Sequence, residues 1–138
     1  MAVSNPRHLS ETYVIAIAGG SGSGKSTLAD ALVSEIGSSF ATVLTVDAYY
    51  HDLAHLSLTA REQTNFDHPD ALDLALFEKH VLALKRGQTI QQPCYDFETH
   101  CRQAQTVEMI PRKWIVVEGI LVTATASLRD LYDQVIYV

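Results

Sequence analysis

Gly19-Gly20-Ser21-Gly22-Ser23-Gly24-Lys25-Ser26 fits the spacing G-x-x-x-x-G-K-[ST]. Glycines at that density let successive backbone N–H groups point into one concavity. A helix starting at the last residues adds the positive end of its dipole, and Lys25 reaches toward the outer phosphates of a nucleotide. The Ser26 hydroxyl is placed to ligate Mg2+, and Thr27 completes the phosphate-binding stretch. The competing explanation is a flexible Gly/Ser loop that happens to contain a lysine; a strand before it and a helix after it distinguish the two.

Two carboxylates lie where such a loop needs them. Asp47 opens Asp47-Ala48-Tyr49-Tyr50-His51-Asp52, directly after an apolar run. An aspartate there can accept the proton of a hydroxyl attacking a γ-phosphate, or it can serve only as an Asx turn at a strand end. Glu118 ends Trp114-Ile115-Val116-Val117-Glu118, where a carboxylate can organise Mg2+ or its waters; standing alone it is an ordinary solvated residue. His51 and His55 are four apart but have no glutamate between them, so they do not read as a zinc pair. Lys85-Arg86 reads as a favourable basic pair at a helix carboxyl end, and Asp67-His68-Pro69 as a helix-breaking turn.

These residues need strands and helices to carry them. Tyr13 to Ala18 is an apolar, β-rich run ending in glycines, and Lys25 to Ile36 follows with Leu28, Leu32, Val33 and Ile36 at helical spacing before Gly37. Phe40–Val46, Trp114–Val117 and Gln134–Val138 read as three more strands, continuous apolar runs of the kind buried on both faces of a parallel sheet. Between the second and third, one helix is predicted to open with a capping box at Thr59 and Glu62. A second carries Leu74, Phe77, Val81 and Leu84 and ends at Gly87. Thr89–Ile110 reads as an extended excursion or hairpin. Strands separated by helices imply an α/β layered fold, with ligands outside the carboxyl ends of the strands. The residues after Ala18, Val46 and Val117 should therefore share one crevice.

The chain has 138 residues, 47% hydrophobic and 19% charged, which suits one globular domain and excludes a disordered or low-complexity chain. Its net charge of −6 argues against nucleic acid or an anionic membrane surface as partner. No apolar run approaches the roughly 18 residues that span a bilayer. The polar segment 1–12 reads as an N-terminal tail without a secretory signal, ahead of a domain over 13–138. Cys94 and Cys101 read as free thiols of a reducing, cytoplasmic location.

Five segments, GGSGSGKST at 19–27, DAYYHD at 47–52, NFDHPDALD at 65–73, PCYDFETHCR at 93–102 and VVEGIL at 116–121, together resemble the uridine kinase (uridine-cytidine kinase) family, in that family's order. The resemblance implies a P-loop NTPase fold, a three-layer α/β/α arrangement around a mostly parallel sheet, with a small β excursion for the nucleoside. It implies transfer of phosphate from ATP or GTP, with Mg2+, to the 5′-hydroxyl of uridine or cytidine, giving UMP or CMP in pyrimidine salvage. By motif match, Asp47 is the general base, Lys25 and the 19–27 loop hold the triphosphate, and Ser26 with Glu118 serve Mg2+. Asp67 is matched to the ribose hydroxyls; Tyr95, Phe97 and His100 match positions that surround and hydrogen-bond the pyrimidine, and Arg102 closes that block. A homo-oligomer is compatible with the family.

The family continues after its fourth strand into an Arg-rich lid, another strand and helices, whereas this sequence stops at Val138, inside or at the end of that strand. The fold is thus expected to be incomplete at the carboxyl end. A nucleotide- or nucleoside-binding module without turnover stays open as an alternative, as does a sugar-phosphate kinase of the phosphoribulokinase type.

Overall fold

The computed structural model describes residues 12–20 and 22–138. Residues 1–11 of the segment 1–12 expected to be an N-terminal tail, and Ser21 of the glycine loop, lie outside the described residues. Thr12 is already buried, its hydroxyl donating to the Lys85 carbonyl at 3.4 Å.

The elements run β1 (Tyr13–Ala18), α1 (Lys25–Ile36), β2 (Ala41–Thr45), α2 (Leu58–Glu62), α3 (Leu74–Lys85), β3 (Ile90–Asp96), β4 (Cys101–Met109), β5 (Trp114–Gly119), α4 (Ala126–Arg129) and β6 (Gln134–Tyr137), with short 3-10 turns at Val46–Tyr49 and Pro69–Ala71. Four strands form one parallel sheet in the order β2-β5-β1-β6, and β3 pairs with β4 as a separate antiparallel hairpin. The excursion expected over Thr89–Ile110 is that hairpin.

Strand order and handedness decide the layers. The chain moves from β1 outward to β2, then back through β5 and across β1 to β6. Right-handed crossovers then put α1 on one face and α3 with α4 on the other. The cores agree. Val14, Ala16, Ala18, Ile115 and Val117 pack with Phe77, Val81 and Leu84 of α3 and Leu128 of α4. Ile15, Ile17 and Val116 pack with Ala29, Leu28 and Leu32 of α1. Because successive strand residues point to opposite faces and both faces are covered, the central strands must be apolar throughout.

Local capping differs from the predicted pattern at one helix. Helix α2 is capped by Ser57, whose hydroxyl accepts from the Ala60 N–H at 3.2 Å, so Thr59 lies inside the first turn rather than before it. The short helix α4, absent from the sequence-based expectation, is held by Thr125, which accepts from Leu128 N–H at 3.2 Å. Among the described residues no helix is long and apolar enough to cross a membrane.

Candidate active site

Register brings the chemistry together. In the sheet Glu118 lies between Ile17 on β1 and Thr45 on β2, so the glycine loop and Asp47 leave their strands within two residues of that row. All three therefore open at the carboxyl edge of the sheet, where chains leaving neighbouring strands β1 and β5 turn to opposite faces. Gly119 is what permits the fit. Its φ is +152°, and a Cβ there would stand 2.1 Å from Val46 Cγ1, so a side chain would push the Asp47 turn away from β5.

The loop after β1 turns through Gly22 and Gly24, at φ of +75° and +95°, and Gly24 is the N-cap of α1. Lys25 and Ser26 thus occupy the first helical turn, beside an open cavity of about 310 Å3 lined also by Thr27. Lys25 Nζ donates to the Gly20 carbonyl at 3.2 Å, which folds the lysine back over its own loop. Ser23 Oγ is buried with no hydrogen-bond partner among the described residues.

Asp47 sits in the 3-10 turn after β2, its N–H donating to Thr45 Oγ1 at 3.4 Å. Burial pushes its carboxyl above the usual carboxylate range, and the nearby Lys25 ammonium opposes that shift. It lines a second cavity, about 410 Å3, together with Ala48, Gln92, Cys94, Tyr95 and Phe97.

Beside that cavity the aromatic side chains form one cluster. Tyr50 lies 5.3 Å from Tyr95 and 5.5 Å from Phe66 between ring centroids, Tyr95 lies 5.1 Å from Phe97, and Phe66 stacks on His100 at 4.7 Å and 21°. Phe97 is 60% exposed, an apolar ring with an open side. Asp67 is exposed in an Asx turn, its N–H donating to Asn65 Oδ1 at 3.1 Å. Burial, then the charges of Asp47 and Asp67, push the Tyr50 phenol up to about 12, so this hydroxyl stands within electrostatic reach of both carboxylates.

Arg102 has a different setting from its neighbours in the motif. Its Nε donates to the Tyr50 carbonyl at 2.9 Å, and Nη2 to the Tyr49 carbonyl and Asp73 Oδ2 at 3.4 Å each. These bonds tie β4 to the end of the Asp47 turn and to the N-cap of α3, which makes Arg102 a positioning residue in this structure. Arg61 does similar service. It donates to the carbonyls of Leu53, Ala54, Leu56 and Thr99, tying the loop after Asp52 to the hairpin tip.

Sequence reasoning assigned no role to Tyr50, Phe66, Arg61 or Gln92. Tyr50 and Phe66 lie inside two of the quoted motifs, so their aromatic character was visible; their stacking partners lie far away in sequence.

A glycine loop between a parallel strand and a helix, with acidic residues at the ends of the neighbouring strand β5 and of β2 beyond it, defines a P-loop nucleotide-binding α/β protein. Comparison with known proteins narrows this. Residues 14–138 match the Phosphoribulokinase / Uridine kinase family. The uridine kinase of Shewanella sp. strain ANA-3 is 44% identical over 131 residues, which cover 92% of this chain and 62% of that protein. A solved structure of a possible uridine kinase from Bacillus stearothermophilus aligns at a TM-score of 0.74 and 22% identity, over 96% of this chain and 73% of that one. Phosphoribulokinase from Rhodobacter spheroides shares the fold at a TM-score of 0.67 and 15% identity, over 93% of this chain and 51% of that one. The chain belongs to the phosphoribulokinase/uridine kinase family. It spans about three fifths of the length of the curated relatives it matches.

Proposed function

We propose that this chain carries the phosphate loop, general base and nucleoside pocket of a kinase that transfers the γ-phosphoryl of ATP or GTP to the 5′-hydroxyl of uridine or cytidine. The observation that carries this is the cavity shared by Asp47, Tyr95 and Phe97, beside a phosphate loop whose lysine interacts electrostatically with Asp47. A carboxylate that takes a hydroxyl proton, an aromatic wall that takes a flat base, and a phosphate cradle are what such a transfer requires.

In this reading the loop amides and Lys25 hold the triphosphate, and Asp47 accepts the 5′-hydroxyl proton as oxygen attacks phosphorus. Its raised proton affinity suits that task, since a base works best when its pKa approaches the working pH. Tyr50, Phe66, Tyr95, Phe97 and His100 receive the pyrimidine, and Asp67 accepts from the ribose hydroxyls. The donor set suits Mg2+: Ser26 and Glu118 supply hard oxygens, and no group of three or more His, Cys, Asp or Glu is arranged to cage an ion among the described residues. Mg2+ commonly takes one or two protein oxygens and completes its shell with phosphates and water. Bound there, it would neutralise charge on the phosphates.

Phosphorylation of uridine and cytidine by the purified chain with ATP and Mg2+, set against its Asp47→Asn variant, tests the proposal. Asp47→Asn is expected to lower turnover about 10²- to 10⁴-fold with nucleoside binding kept. Equal rates would remove Asp47 from the chemistry. Calorimetric binding of both ligands without turnover in the unaltered chain would favour a binding module instead.

A further inference from the structure

Gln92 is a glutamine on the buried side of β3, among Ile90, Pro93 and Tyr95. Only 8% of it is exposed, and its Oε1 is buried without a hydrogen-bond partner among the described residues. It lines the same cavity as Asp47 and Tyr95, and the Tyr95 hydroxyl too is buried without a partner among the described residues. Leaving a carboxamide oxygen unpaired out of water is destabilising, so folding by itself favours an apolar residue here.

The hairpin explains why two polar groups meet in the cavity. Pairing runs Gln92 to Val107 and Pro93 to Thr106, then resumes at Tyr95 to Arg102 across an irregularity in the ladder. At that point the inward side of β3 switches from Ile90 and Gln92 to Pro93 and Tyr95. Without the switch, strand alternation would send Gln92 and Tyr95 to opposite faces.

We propose that the Gln92 carboxamide is a specificity-determining contact that hydrogen-bonds the N3 and 4-position edge of the pyrimidine, beside Tyr95. The inference rests on the nucleoside-binding reading above. A primary carboxamide carries one acceptor and two donors in one plane. Uracil presents N3–H and O4 on that edge, cytosine N3 and a 4-amino group. A half-turn of the carboxamide exchanges its donor and acceptor, so one residue matches both bases.

Calorimetry on the 138-residue chain tests this with uridine, cytidine and pyrimidin-2-one ribonucleoside, which lacks the 4-substituent. Gln92→Met keeps the length and removes both hydrogen-bonding functions. It is expected to weaken uridine and cytidine about 2- to 10-fold, to weaken the 4-unsubstituted analogue less, and to leave ATP affinity unchanged. Its melting temperature should equal or exceed that of the parent, since an unpaired buried oxygen has been removed. Unchanged uridine and cytidine affinities, or an equal loss for all three nucleosides, overturn the proposal, and either result would make Gln92 the partner of a trapped water or a structural residue. Gln92→Asn, which keeps the amide but draws it back by one methylene, repeats the comparison if Gln92→Met does not fold. A parent chain that binds none of the three nucleosides defeats the nucleoside reading itself, a result distinct from the variant outcomes.

Discussion

At the residue scale, Asp47 combines two roles that pull against each other. Burial raises its proton affinity, so the folded state resists its ionisation. An acid whose folded pKa lies above the unfolded one contributes stability at low pH and loses it as pH rises through the folded pKa. Asp47→Asn removes that loss. Its melting temperature should match the parent below the ordinary carboxylate range and exceed it at neutral pH, while turnover falls; thermal melts across that window check the sign. A variant less stable than the parent at pH 7 would mean that the carboxylate is satisfied in the fold rather than held for chemistry. Lys25 differs in cost: its bond to the Gly20 carbonyl is exposed, so Lys25→Met should shift stability by less than about 0.5 kcal/mol.

At the element scale, the site depends on how closely the Asp47 turn lies against β5 and β4. Gly119→Ala would place a methyl 2.1 Å from Val46 Cγ1, on a backbone conformation that side chains rarely adopt. Overpacking of this kind costs about 1–3 kcal/mol and occasionally more, so the variant should denature at clearly lower urea. An unshifted midpoint would mean that the turn moves freely. Arg102→Met removes donors to two carbonyls and to Asp73 in a half-buried setting, an expected loss of about 1–3 kcal/mol. Because those bonds hold the end of the turn bearing Asp47 and Tyr50, nucleoside affinity should fall while ATP affinity holds. A drop in both would show that Arg102 supports the fold as a whole.

At the scale of the whole molecule, the phosphate loop should couple nucleotide binding to stability. Mg·ATP at 100 times its Kd should stabilise the chain by about 2.7 kcal/mol, and Lys25→Met should lose most of that shift; an equal shift in the variant would place the nucleotide elsewhere. The sequence by itself determined the parallel sheet, both long helices, the phosphate loop and Asp47 with Glu118, because each is written in local spacing: apolar runs, helical periodicity and glycines next to a lysine. It also marked Tyr95, Phe97 and His100 as one block. What only the tertiary structure decided lies in contacts between distant segments. Ser57, not Thr59, caps α2 because its hydroxyl reaches the Ala60 N–H. Arg102 turns toward Tyr49, Tyr50 and Asp73, partners 53, 52 and 29 residues away. Tyr50 and Phe66 join the aromatic cluster, and Gln92 comes to face the cavity, through the register of a hairpin. Alternation along one strand specifies a face, but which segment covers that face, and whether a buried polar atom finds a partner there, is settled only when the chain has packed.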